Sequence, residues 1–249
     1  MCSWRMSCRD SLKISILMDH LRKEENKKFI FLTLTAPNVK RDKLSEEINN
    51  YNISFKKLME RKDGKNIVKG YIRKLEVTYN SDESSKSYDT YHPHFHVVIA
   101  VNKTYFTDTK QYINQQRWLK LWQEATGDSS ITQVDVRKSK ANNLKEVYEL
   151  AKYSAKDSDY LVSRPVFNVF YKALKGKRFI VYGGLFKDAN IMYENGELDS
   201  YKVKDNIEYV YMMCYLWAKG EYENNNIREL TEEEKEKFNK FFIDEIEID

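Results

Sequence analysis

The chain has 249 residues, 41% hydrophobic and 32% charged, with a net charge of +4. No apolar run approaches the ~20 residues that span a bilayer, and Met1 to Asp10 holds no signal-peptide core, so a soluble, cytoplasmic protein is expected. Eight Gly and three Pro exclude a linker-rich chain, and the dispersed Cys2, Cys8 and Cys214 exclude a disulfide framework.

The elements follow in chain order. Residues 9–27 carry helical periodicity through Leu12, Ile14, Ile16, Leu17 and Leu21. Phe29 to Thr35 is β-branched and aromatic and reads as a strand stopped by Ala36-Pro37-Asn38. Asp42 is placed to cap a helix over 42–62, which Asp63-Gly64 would end. A second strand covers 69–79, a polar hairpin loop 80–90, and a third strand 93–101. A helix is expected from Thr107 or Asp108 to Gly127, a strand over 131–137 and a helix over 143–155. Beyond Arg164-Pro165 the pattern gives a helix over 166–174 and a short strand over 179–182. Tyr209 to Trp217 fits either a strand or a helix, and Glu232 to Ile243 an amphipathic helix capped by Thr231 or a neighbour. After the leading helix the order is β-α-β-β-α-β-α. That order predicts an α+β fold whose antiparallel sheet has split-βαβ, ferredoxin-like connectivity, with helices packed mainly on one face and the other face open to ligand.

Charge is unevenly spread. Residues 221–249 hold four Lys/Arg against eleven Asp/Glu, a balance of −7, which leaves +11 on the preceding 220. A basic body with an acidic end fits a polyanionic partner, although each lysine alone reads as solvent-exposed.

Three of the four histidines fall in Tyr91-His92-Pro93-His94-Phe95-His96. Alternation along a strand points His92, His94 and His96 to one face, where imidazoles can share a divalent metal. His92 precedes Pro93, so its backbone can leave the strand there. If the second and third strands pair across the 80–90 loop, Glu76 comes beside His94 or His96. Two imidazoles and a carboxylate suit Mn²⁺, and Mg²⁺ less comfortably. The alternative for Glu76 is an ordinary exposed strand charge. On the helix over 143–155, Glu149 and Tyr153 stand four apart and Lys156 three further on, so carboxylate, phenol and ammonium share a face. A phenol near pKa 10 attacks poorly unless a cation favours its phenolate. Tyr148 is the rival nucleophile, about 140° away around the helix at ~100° per residue.

Three blocks in this order resemble the HUH endonuclease superfamily, and within it the rolling-circle replication initiators of small bacterial plasmids. They are Phe31-Leu32-Thr33-Leu34-Thr35-Ala36-Pro37-Asn38, Tyr91-His92-Pro93-His94-Phe95-His96-Val97-Val98, and Glu149-Leu150-Ala151-Lys152-Tyr153-Ser154-Ala155-Lys156. The resemblance implies metal-dependent nicking and joining of single-stranded DNA at an origin hairpin, with a host helicase and polymerase as partners. It implies Tyr153 as nucleophile, Glu149 as the base at termination, Lys156 on phosphate or phenolate, and His94, His96 and Glu76 as metal ligands, with His92 a possible fourth. Residues 1–165 would form the endonuclease domain, and 166–249 a C-terminal extension packed on it. Relatives carry a cysteine-rich segment ahead of a Cys-x-Trp-Arg-like sequence; here Cys2-Ser3-Trp4-Arg5 follows Met1 directly. Either the chain is truncated or it lacks that element, and no structural zinc is expected. Other readings are an HUH transposase or relaxase, a non-catalytic nucleic-acid-binding module and, more distantly, a cupin-like metalloenzyme.

Overall fold

The computed structural model describes residues 3–139, 147, 150, 151, 159, 161–201, 211–218, 221–229 and 231–234, with side chains for all of these but 3–8, 211–218 and 221–229. Residues Met1–Tyr201 form one compact unit and Lys202–Asp249 a second.

The first unit is built on a five-stranded sheet of order β4-β1-β3-β2-β5, antiparallel throughout. Its strands are β1 (Lys27–Leu34), β2 (Gly70–Asn80), β3 (Thr90–Asn102), β4 (Val134–Lys138) and β5 (Ile180–Gly184). The first four keep the split-βαβ order read from the sequence, and the class is α+β.

Alternation along β3 sorts the core into two clusters. Tyr91, Phe95, Val97, Ile99 and Val101 face one way, into a large apolar cluster. Against them pack α2 (Leu44–Glu60), α4 (Gln115–Thr126) and α5 (Arg164–Leu174), through Tyr51, Phe55, Trp118, Trp122 and Phe170. Val98 and Ala100 face the other way with Phe29, Phe31 and Ile72. There α1 (Ser3–Lys23) contributes Ile14, Leu17 and Leu21, and α6 (Leu185–Glu194) contributes Phe186 and Ala189. The second face is therefore divided: helices close the half around Val98 and Ala100, while the other half carries the histidines.

Several local expectations shift. Helix α2 starts at Leu44 and its N-cap is Lys43, without a side-chain cap from Asp42. Gly64 does not end the helical stretch. Arg61 breaks it by turning extended (ψ 150°), and a short α3 (Lys62–Ile67) follows, where a Cβ on Gly64 would meet the Leu58 carbonyl oxygen at 2.8 Å. Helix α4 begins eight residues later than Thr107, because Asn114 caps it by accepting from the Arg117 backbone N–H. Gly127 closes it in the left-handed conformation, φ 76°. Ser163 caps α5 and Pro165 occupies its first turn. Helix α6 was not anticipated. It springs from Gly184 (φ 55°), where any Cβ would strike the Lys69 carbonyl.

In the second unit, Tyr211–Ala218 is a strand, β6, paired antiparallel with an unanticipated β7 (Glu221–Glu229). Thr231 starts a helical turn as expected: its hydroxyl accepts from the Glu234 N–H, while Glu234 accepts from the Thr231 N–H at 3.0 Å. The rest of the expected acidic helix lies outside the described residues. Among the described residues no helix is long and apolar enough to cross a membrane.

Candidate metal centre

β2 and β3 pair over eleven positions, with Glu76 opposite His94, Thr78 opposite His92 and Lys74 opposite His96. His92 does not leave the strand. Tyr91 exchanges both backbone hydrogen bonds with Val39 on the β1 side, so Pro93, two residues on, turns its missing N–H to that same side. The β1 ladder has already ended there, at Leu34–Phe95, and the proline costs no ladder bond.

Glu76, His94 and His96 are brought together. Their ligand atoms lie within 4.8 Å of one another. His96 Nε2 stands 3.0 Å and His94 Nε2 3.5 Å from the same oxygen, Glu76 Oε2. Those separations match the edges of a coordination polyhedron, about 3.0 Å octahedral and about 3.4 Å tetrahedral for bonds near 2.1 Å. The second ring nitrogens are oriented as metal-binding histidines require. His94 Nδ1 donates to the His92 carbonyl (3.2 Å), and His96 Nδ1 is 3.4 Å from Thr33 Oγ1. Phe31 stacks on His96 at 5.6 Å. The three side chains can thus hold one divalent cation.

Electrostatics fit that role. Burial pushes the Glu76 carboxyl up, but hydrogen bonds from His94 and His96 and their charge outweigh it and hold it well below the usual carboxylate range. His92 stacks on His94 at 5.2 Å but stands outside the three-residue cluster. Burial pulls its imidazole down, His94 adds to this, and a hydrogen bond to the Ala36 carbonyl opposes it.

The sequence reading missed Lys74. It is only 4% exposed and lies on the face of Glu76, two residues away. Burial lowers its ammonium to about 8, against the pull of Asp10 on α1 and of Glu76. Burial likewise raises the Asp10 carboxyl, against Lys74, Arg9 and Lys13. Lys74, His96, Thr33 and Asp135 form a row of Cα partners across four strands. The next row, Ile72, Val98 and Phe31, is apolar. Strand parity counted back from Glu76 would have found Lys74; its residue type, usually solvated, hid it.

Tyr153, Glu149, Lys156 and the rival Tyr148 lie outside the described residues, as do the side chains of Cys2 and Cys8. Their neighbours are informative. Val147, Leu150 and Ala151 are helical and buried in the cluster that holds Val98 and Ala100. Asp159 accepts a hydrogen bond from the Tyr79 backbone N–H at 3.1 Å.

A model of a replication-protein family matches residues 1–225. The chain belongs to that family. It is 56% identical over 163 residues to a "Protein rep" of Staphylococcus aureus, covering 66% of this chain and 69% of that protein. A "Protein rep" of Lentilactobacillus hilgardii is 32% identical over 243 residues, covering 91% and 75%. One of Streptococcus pneumoniae is 36% identical over 221 residues, covering 84% and 67%. No solved structure gives a significant match.

Proposed function

We propose that this replication protein nicks and rejoins single-stranded DNA at a plasmid origin by tyrosine transesterification, initiating and terminating rolling-circle replication. The observation that carries the reading is the triad of Glu76, His94 and His96, assembled on paired strands in a chain whose family is replication proteins. Tyr153 attacks the scissile phosphorus, the bond from phosphorus to the 3′ oxygen breaks, and a 5′-phosphotyrosine and a free 3′-OH result. Lys156 favours the phenolate or binds phosphate. The 3′-OH primes synthesis by a host polymerase behind a host helicase. At termination Glu149 takes the proton of a water or of a 3′-OH, whose oxygen displaces the tyrosine.

Glu76, His94 and His96 would hold Mn²⁺ or Mg²⁺, and His92 is a further candidate ligand. The bound cation supplies a Lewis acid that polarises a phosphate oxygen. Support for bringing the nucleophile segment to this face comes from its described flanks. Leu150 and Ala151 belong to the same buried cluster as Ile72 of β2, and Asp159 accepts from the Tyr79 N–H of β2. Glu76 lies between those two attachment points on the same strand. We assign the nicking chemistry to residues 1–165 and read 166–249 as a C-terminal extension.

The test offers end-labelled single-stranded oligonucleotides tiling the encoding replicon, with Mn²⁺ or Mg²⁺. One of them is cleaved and leaves a covalent protein–DNA adduct, and Tyr153→Phe abolishes both. An adduct that survives in Tyr153→Phe but disappears in Tyr148→Phe moves the nucleophile. Binding without cleavage by the parent favours a non-catalytic nucleic-acid module.

A further inference from the structure

Helix α5 is amphipathic in an unusual way. Its buried side is ordinary: Val166, Phe170 and Ala173 enter the large apolar cluster. Its outer side is not the mixed-charge surface of a solvated helix. At ~100° per residue, Arg164, Phe167, Tyr171, Lys172 and Lys175 all fall on it. Tyr171 is 55% exposed and Phe167 43%. Their rings are nearly parallel, 14° between planes and 6.3 Å between centroids, and the Lys175 ammonium stands 5.5 Å over Tyr171. Helices α1, α2, α3, α4 and α6 each carry at least one acidic residue, and α5 carries none. The wider stretch 161–180 holds five Lys/Arg and no Asp/Glu. Single exposed apolar side chains are common on any surface. Here Leu161, Val162, Phe167, Tyr171 and Phe179 are all exposed within that one stretch, so a large apolar patch and a one-signed basic patch coincide.

We propose that the outer face of α5 is a platform for single-stranded DNA, on which bases stack against Tyr171 and Phe167 while Lys172 and Lys175 follow the phosphates. Flat rings interleaved with cations match an unpaired strand, which offers π-faces and phosphates together. A duplex hides its π-faces in its own stack, and a protein partner gives no reason for a helix face stripped of acidic residues. The platform is tied to the strands that carry the metal-type triad. The Phe170 ring meets Tyr91, next to His92, at 5.4 Å. The Phe179 carbonyl accepts from the N–H of Leu75, next to Glu76, at 2.8 Å. Because α5 packs on the sheet face opposite the histidines, it acts as a second holding point for the strand rather than as part of the metal centre. The inference deepens the nicking reading by assigning where flanking DNA is held, and its test does not need cleavage.

The experiment measures binding of a labelled oligothymidylate of about 20 nucleotides, and of a duplex of equal length, to the full chain by fluorescence anisotropy. Tyr171→Leu keeps an apolar side chain and removes the stacking ring. It is expected to weaken binding of the single strand about tenfold, while Tyr171→Trp binds at least as tightly as the parent. Replacing Lys172 and Lys175 together by Gln should make the slope of log affinity against log salt shallower by about 1.4, at ~0.7 for each phosphate contact on a single strand. Both side chains are exposed, and a thermal melt of each variant checks that the fold is kept. Affinity of Tyr171→Leu within about twofold of the parent, with an unchanged salt slope in the lysine variant, overturns the platform and leaves the face to a protein partner. A parent that binds the duplex as tightly as the single strand overturns it too. If Tyr171→Leu does not fold, the salt slope of the lysine variant decides alone. A parent that binds the oligothymidylate but cleaves none of the replicon oligonucleotides brings down the nicking reading and leaves the platform standing.

Discussion

Arg73 and Lys74 are consecutive on β2 and equally buried, 6% and 4% exposed, yet they face opposite sides of the sheet and meet opposite chemistry. Arg73 enters the large apolar cluster. Its guanidinium lies 4.3 Å above the Phe95 ring and 5.3 Å from Phe55, and it donates to Asn52 Oδ1. Aromatic quadrupoles and one amide replace its water, and burial still lowers it to about 10. Lys74 enters the polar row with Asp10 and Glu76 as its charge partners. On one face the cation is absorbed by packing. On the other it is balanced by carboxylates beside a metal-type triad. The same alternation separates His94 and His96 from Phe95, so one strand serves as scaffold with one parity and as site with the other.

The comparison breaks most sharply at those three consecutive positions. His94→Ala or His96→Ala is expected to abolish Mn²⁺ binding and to slow nicking by about 1000-fold or more, since a bound metal supplies several kcal/mol of charge stabilisation. Melting of the metal-free protein should shift little in either. Phe95→Ala, between them, should instead cost about 3–5 kcal/mol and lower the melting temperature by roughly 10 °C. Thermal melts beside Mn²⁺ titrations read both. Equal effects on stability at 94, 95 and 96 would erase the distinction between faces.

A pH series sharpens the contrast next. The Lys74 pKa is depressed in the fold, from 10.5 to about 8, so between those values the unfolded chain binds more protons than the folded one. Stability of the metal-free protein should therefore rise with pH across that window, by up to about 1.4 kcal/mol per unit from this group, and the contribution should be lost as pH falls through 8. Subtracting the Lys74→Met denaturation curve from the parent's isolates it. A flat difference curve would contradict the burial cost assigned to Lys74. The smallest effect belongs to Thr33→Val, which removes the 3.4 Å contact to His96 Nδ1 and should weaken Mn²⁺ binding by about tenfold while leaving the fold intact.

What the sequence disclosed followed periodicity and parity. The strand order, the covered apolar face and the meeting of Glu76 with His94 and His96 all come from alternation along two strands joined by a polar loop. What it concealed had no such signature. Lys74 is disguised by residue type. Helix α6 starts at a glycine with no side-chain cap, and β7, Glu-Tyr-Glu-Asn-Asn-Asn-Ile-Arg-Glu, has no apolar alternation. Asp42 was a sound capping residue one position too early. The half-closed second face was hidden because it depends on α1 and α6 meeting across β1 and β2, which no local pattern encodes.

The hairpin between β2 and β3 has a consequence for how chains of this kind can vary in length. Ligands and core residues occupy alternate positions of two paired strands, so a single residue inserted between Leu75 and Val77, or between Pro93 and Val97, would exchange the two sets. Phenylalanine would enter the metal position and histidine the core. Residues 81–89 carry no such constraint: their turn is held by Asn80, Asp82, Ser84, Ser85 and Ser87 bonding to one another. Insertions and deletions should therefore accumulate at that tip and be absent from the strands on either side, so that descendants of this sequence differ in loop length while the spacing from Leu75 to Val77 and from Pro93 to Val97 stays constant.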